Sequence, residues 1–198
     1  MTTHHPRIHP IILVTGTPGT GKTLHSQLLV SELSEDNNPS PMKHLNIGDI
    51  VKEHGFHEGW DEEWGCWIVD EERLLDWMEE VVNPRDGPAE TGFVIDHHDP
   101  SLFPERWIDL AVVLICDNSI LHERLTARNY PAKKVTENVT AEIMMTCLNE
   151  TRESYAEEIV VELTSEGRSD GEVEENVKRI AQWVENWKRD QQDGEQQS

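Results

Sequence analysis

The most specific chemistry in this 198-residue chain lies in Gly16-Thr-Pro-Gly-Thr-Gly-Lys22-Thr23, which matches G-x-x-x-x-G-K-[ST] at every defined position. Gly16, Gly19 and Gly21 permit a turn that aims backbone N–H groups inward. With Thr20 they form an anion nest at the start of a helix. Lys22 can carry positive charge to β- and γ-phosphates, and the Thr23 hydroxyl is a ligand for Mg²⁺. Asp96 closes the apolar run Phe93-Val-Ile-Asp96, the form of an acidic strand end that holds magnesium. An acid there equally caps a following helix, and the residue alone does not separate the two. Arg124 and Arg128 stand four apart on one helix face. They suit either a solvated pair or a clamp on a transferred phosphoryl group. His98 is compatible with a plain loop histidine and with a donor to phosphate oxygen that titrates near neutrality.

These residues need a scaffold, and the hydrophobic pattern supplies one. Ile11–Thr15, His44–Ile47, Phe93–Asp96, Leu110–Ile115 and Ile159–Leu163 read as short buried strands. Between them fall helical patterns: Leu24–Leu33 with a Leu24, Leu28, Leu29 stripe, Val69–Val82, Ile120–Arg128, Glu137–Tyr155 and Val173–Trp187. Ser34–Pro41 and Asn83–Glu90 read as loops, and the chain from Asp190 as a flexible tail over 190–198. Strands alternating with helices predict an α/β fold: a P-loop NTPase with a five-stranded parallel sheet flanked by helices. Ligands then bind beyond the carboxyl ends of the strands. The expected organisation is one domain over 1–198, without repeats.

Composition narrows the function. The 17 basic and 39 acidic residues give a net charge of −22, so free nucleic acid is disfavoured. A basic protein partner is compatible with that charge, as is a role in solubility alone. Cys66, Cys116 and Cys147 show no C-x-x-C spacing, which predicts reduced thiols, and Cys116 lies in an apolar run as a buried small hydrophobe. No apolar run is long enough to span a bilayer, and the N-terminus lacks the apolar centre of a signal peptide. A guanine-reading Asn-Lys-x-Asp is missing, because Ile115-Cys116 continues as Asp117-Asn-Ser. Trp60, Trp64, Trp67 and Trp77 crowd one region and suit base stacking or a partner face, while helix packing accounts for Trp77, Trp183 and Trp187.

Several blocks carry a closer resemblance. Asn46-Ile-Gly-Asp49-Ile-Val-Lys-Glu53 is similar to the monophosphate-binding segment of adenylate kinases. In order follow Gly59-Trp-Asp61-Glu62-Glu63-Trp, Ile68-Val-Asp70-Glu71-Glu-Arg73, Ile95-Asp96-His97-His98 and Phe103-Pro104-Glu105-Arg106-Trp107. Glu123-Arg124-Leu-Thr-Ala-Arg128-Asn-Tyr130 and Ser154-Tyr155-Ala-Glu-Glu158-Ile159-Val160 complete the series. From about Ile11 to Trp187 the chain resembles the adenylate kinase isoenzyme 6 family, also called coilin-interacting nuclear ATPase.

The resemblance implies a nucleoside monophosphate kinase fold with a monophosphate-binding segment at 46–69 and a short lid at 127–137. It implies transfer from ATP to AMP with magnesium, slow ATP hydrolysis, and a part in small ribosomal subunit maturation in nucleus and cytoplasm. The implied partner is a platform ribosomal protein of the pre-ribosome, and an ATP-gated assembly factor with incidental kinase activity is the alternative. By position, Gly19, Gly21, Lys22, Thr23 and Leu24 line the ATP phosphates, and Arg128 contacts ATP from the lid. Thr23 and Asp96 hold magnesium, and His98 orients the attacking group. Asn46, Gly48, Asp49 and Lys52 hold AMP, and Arg124 and Arg128 close over the phosphoryl group. Lys52 stands where adenylate kinases usually carry arginine, losing the bidentate fork. The lid has no cysteine cluster for zinc.

Lys22→Ala is expected to abolish ATP turnover while leaving the circular dichroism spectrum unchanged. Full turnover in the folded variant refutes the phosphate-loop assignment.

Overall fold

The computed structural model describes residues 7–34, 41–62, 64–84, 89–167 and 171–195. Most of the two expected loops at 34–41 and 83–90, together with Glu63, lies outside the described residues. The strands are β1 Ile11–Thr15, β2 Met42–Asn46, β3 His57–Asp61, β4 Cys66–Val69, β5 Gly92–Asp96, β6 Leu110–Ile115 and β7 Val160–Thr164. The helices are α1 Lys22–Glu32, α2 Ile47–His54, α3 Glu71–Val82, α4 Asn118–Ala127, α5 Ala132–Ile143, α6 Thr146–Ser154 and α7 Glu172–Glu195.

Five strands form a parallel sheet in the order β2-β5-β1-β6-β7. The chain leaves β1 on one side and returns on the other, so its crevice opens at the carboxyl end of β1. Successive β1 side chains point to opposite faces. Ile11 and Leu13 pack with Ile47, Leu74, Met78 and Val82 of α2 and α3. Ile12 and Val14 pack with Leu29 of α1 and Val177, Ile180 and Val184 of α7. Both faces of the sheet are therefore covered, which is why its strands read as continuous apolar runs. Among the described residues no helix is long and apolar enough to cross a membrane.

Three local expectations are corrected. Within the span 46–69, α2 is followed by β3 and β4, which pair antiparallel as a separate hairpin. Its strands are only half-buried, so their composition carries no apolar run to announce them. The helix expected over 137–155 is two helices, broken at Met145 with φ 52°. No glycine or proline marks that break. It lets α5 bury Val135 against Leu121 and Leu125 of α4, while α6 turns Cys147 and Leu148 onto β6. The α1 stripe is also shifted: His25, Ser26 and Leu29 are buried and Leu24 is 50% exposed. Finally, α7 runs through the expected tail to Glu195, as Gln191 and Gln192 favour helix.

Tyr155 ends α6 by locking it to the turn after β5. Its hydroxyl donates to Pro100 O at 2.6 Å and lies 3.3 Å from Phe103 O. Burial raises its pKa, with Asp99 adding to the effect. Stability from such a group is intact below the unfolded value of about 10 and falls as pH rises past it. Tyr155→Phe should cost about 1 kcal/mol at pH 7. Its stability should decline less than that of the parent above pH 10, as read by urea titration.

Candidate active site

The loop Gly16–Gly21 joins β1 to α1 at the carboxyl edge of the sheet. Gly16 adopts φ +140°, and a Cβ there would lie 2.5 Å from Leu114 O on β6. A Cβ on Gly19, at φ +101°, would lie 2.8 Å from Leu121 Cδ1. Only glycine lets the loop run this close to β6 and α4. Thr20 donates through both N and Oγ1 to Thr17 O, at 3.2 and 2.9 Å, which tightens the turn. Lys22 Nζ donates to Gly16 O at 2.8 Å and Thr17 O at 3.2 Å, so the ammonium spans the loop. Burial pushes its pKa down to about 8, partly opposed by the Asp96 charge.

Asp96 is the centre of the arrangement. At the end of β5, in register with Val14 and Asn46, it is only 4% exposed. Its Oδ2 accepts from Thr23 Oγ1 at 2.5 Å and from Asn46 Nδ2 at 2.8 Å. His44 Nε2 stands 3.5 Å from the same oxygen, without a well-formed hydrogen bond. Burial alone would raise this carboxyl, but His44, the Thr23 hydroxyl and the Lys22 charge outweigh it and lower the pKa. Asp96 is therefore ionised at neutral pH. Among the described residues no group of three or more His, Cys, Asp or Glu is placed to hold a metal. Thr23 and Asp96 are instead two adjoining hard oxygen donors, a set that suits magnesium sharing its shell with nucleotide phosphates and water.

After Asp96, the rings of His97 and His98 lie 4.6 Å apart, and His97 meets Phe103 edge-on. Burial lowers both imidazole pKa values. The second cause is the neighbouring His98 for His97, and Lys22 for His98. His98 keeps an exposed edge. Cys147 Sγ lies 3.2 Å from Thr15 Oγ1 and donates weakly to His98 O at 3.6 Å, tying α6 to both strand ends.

The remaining expected residues divide. Asn46 caps α2 by accepting from Asp49 N at 3.0 Å, so one side chain starts that helix and holds Asp96. Gly48 lies in its first turn, and Lys52 pairs with Asp49 at 3.6 Å on the exposed surface. Arg124 and Arg128 do not act as matched neighbours. Arg124 Nη1 donates to Ser165 O at 2.7 Å beyond β7 and weakly to Cys116 Sγ at 3.6 Å. Arg128 is exposed at the end of α4, its charge close enough to lower the Lys22 pKa.

The hairpin faces the lid. Lys134 Nζ donates to Trp64 O at 2.8 Å, and Lys133 Nζ lies 4.8 Å from the Trp64 ring. Trp67 stacks on His57, and Trp60 meets Trp67 edge-on while remaining 51% exposed. Trp77 and Trp183 pack against the two cores, as helix packing requires. Cys116 and Cys147 are buried free thiols, and Cys66 is free and exposed.

Three residues at the site escaped sequence reading. His44 shares a β2 face with Asn46, and the two-residue alternation could have signalled it. His25 Nδ1 lies 3.0 Å from Gly21 O, and Asn176 of α7 lies 3.3 Å from its other ring nitrogen. Glu142 of α5 accepts from the Thr17 hydroxyl and from Cys116 N at 2.7 Å. No local spacing marks either of these two.

Comparison with known proteins agrees with this geometry. A family profile described as an AAA domain matches residues 12–145. The adenylate kinase isoenzyme 6 homolog of Dictyostelium discoideum is 45% identical over 181 residues, covering 91% of this chain and 95% of that protein. The homolog of Schizosaccharomyces pombe is 46% identical over 180 residues, covering 91% and 94%. Shikimate kinase from Bacteroides thetaiotaomicron superposes with a TM-score of 0.55 at 15% identity, covering 89% of this chain and 98% of that one, and so shares the fold.

Asn46→Ala removes both a helix cap and a donor to a buried carboxylate. It should lower unfolding free energy by about 1–2 kcal/mol, measured by chemical denaturation. An unchanged midpoint contradicts this account of Asp96.

Proposed function

The chain belongs to the adenylate kinase isoenzyme 6 family of P-loop nucleotide kinases, and from that premise we propose that it transfers the γ-phosphoryl group of ATP to AMP, with slow ATP hydrolysis as a side reaction. The observation that carries this reading is the sharing of Asp96 Oδ2. Thr23 of the phosphate loop and Asn46 at the head of α2 bond the same oxygen. Donor loop and acceptor helix are thereby held within one hydrogen-bond shell, as direct transfer between two nucleotides requires.

In this reading the N–H groups of Gly19 and Gly21 bind the donor phosphates, while Thr20 N closes the turn on Thr17 O. Lys22 compensates the charge spread over the transferred group, and its ammonium already lies at the loop mouth. Thr23 and Asp96 would hold magnesium, which would supply neutralisation of phosphate charge. The amino end of α2, with Asn46, Gly48, Asp49 and Lys52, orients AMP. Its phosphate oxygen attacks the γ-phosphorus as the bond to the bridging oxygen breaks. Arg128 approaches from the lid, and Arg124 holds the edge of the donor site against Ser165. His98, neutral at pH 7 because its pKa is lowered, can donate one N–H to a phosphate oxygen.

The net charge of −22 supports a second reading beside the first. In it, the protein binds a basic platform ribosomal protein and uses ATP to gate its release during small-subunit maturation, in nucleus and cytoplasm. A basic partner is steered to such a surface by its field.

ADP formation from ATP and magnesium should rise by orders of magnitude when AMP is added. An AMP-independent rate refutes the kinase reading. In that case, stimulation of hydrolysis by the basic ribosomal protein becomes the deciding assay.

A further inference from the structure

Glu142 stands one residue before the end of α5, far from the phosphate loop in sequence, yet its carboxylate is committed to that loop. Oε2 accepts from Thr17 Oγ1, and Oε1 accepts from Cys116 N at 2.7 Å, just beyond β6. Thr17 is buried. Its carbonyl receives Thr20 N, Thr20 Oγ1 and Lys22 Nζ, so its position sets both the turn and the ammonium. The other end of α5 is also anchored, through Lys134 Nζ to Trp64 O of the hairpin. About 12 Å of helix separates Lys134 from Glu142 at 1.5 Å per residue. The reversal at Met145 directly follows, where Met145 N donates to Glu142 O at 2.9 Å. That reversal ends α5 over the loop and leaves Glu142 pointing into it.

We infer that Glu142 is a positioning residue for the donor nucleotide, holding Thr17 and hence the phosphate loop in the form that receives the ATP phosphates. Resting on the ATP-binding part of the proposed function, this role needs no contact between Glu142 and nucleotide. The carboxylate acts as a two-point acceptor, one oxygen on the hydroxyl and one on the backbone N–H. Removing it leaves a partly buried N–H of Cys116 without an acceptor and frees Thr17 to turn away from the loop. Glutamine preserves both contacts. Its amide oxygen accepts from Cys116 N, and its NH₂ donates to the Thr17 oxygen, which has lone pairs to spare.

The test measures the affinity of the full chain for a fluorescent ATP analogue with magnesium, alongside thermal melting. Glu142→Ala should weaken binding by about tenfold or more, the scale of one charge-assisted hydrogen bond. Glu142→Gln should bind within about threefold of the parent. Thr17→Val should weaken binding in the same direction, and Thr17→Val/Glu142→Ala should be little worse than Glu142→Ala, because both act through one contact. A purely structural role would lower the melting temperature of Glu142→Ala and leave its affinity unchanged, which overturns the inference. Multiplicative effects of the two substitutions overturn it as well, as does a Glu142→Gln protein as weak as Glu142→Ala. The readout is equilibrium binding of the ATP analogue, so AMP-independent turnover would refute the kinase reading and leave this result standing.

Discussion

One ionised carboxylate oxygen, Oδ2 of Asp96, organises this molecule. It lies at the end of β5, nearly closed to solvent, and an ion there is costly unless its lone pairs are occupied. Thr23 and Asn46 occupy them, while His44 and Lys22 contribute field. The partners come in pairs from two elements, Thr23 and Lys22 from the start of α1, and Asn46 and His44 from β2. Satisfying one buried charge therefore aligns the phosphate loop with the amino end of α2. The parallel register of β1, β2 and β5 makes this possible, bringing Val14, Asn46 and Asp96 side by side.

A second constraint is how closely the phosphate loop passes over β6 and α4. Gly16 and Gly19 have no room for a Cβ, so the loop is pressed against Leu114, Leu121 and Leu125. Helix α4 thus supports the loop from beneath, with Arg124 turned to Ser165 and Arg128 exposed at its end. The lid continues directly into α5, which is tied at one end to Trp64 and at the other to Thr17. The β3–β4 hairpin and the phosphate loop are thus linked through one helix.

Charge is distributed to the same end. The chain is strongly acidic overall, a field that repels nucleotides at a distance. At the loop the repulsion is answered locally, by N–H groups at the amino end of α1 and by the half-buried Lys22. Burial lowers the lysine pKa to about 8, and Asp96 opposes the shift. The Asp96 charge raises the lysine pKa against burial, and the Lys22 charge in turn helps to hold the Asp96 pKa down.

The sequence by itself determined the phosphate loop, the acid at the end of β5, the five parallel strands and the family. These are local or strictly periodic signals: a glycine spacing that permits one turn, and apolar runs that only a doubly covered sheet can bury. The same signals placed Lys22, Thr23 and Asp96 at the carboxyl edge, and the family resemblance added Asn46. Tertiary structure alone decided how they meet. The single oxygen shared by Thr23 and Asn46, the turning of Arg124 toward Ser165, the β3–β4 hairpin and the reach of Glu142 into the loop all join residues far apart in the chain. The break at Met145 shows why these were not legible. No glycine or proline stands there, and a left-handed methionine costs about 1 kcal/mol or more. Only the packing of α5 on α4 and α6 on β6 offsets that cost, and such packing exists only once the chain has folded.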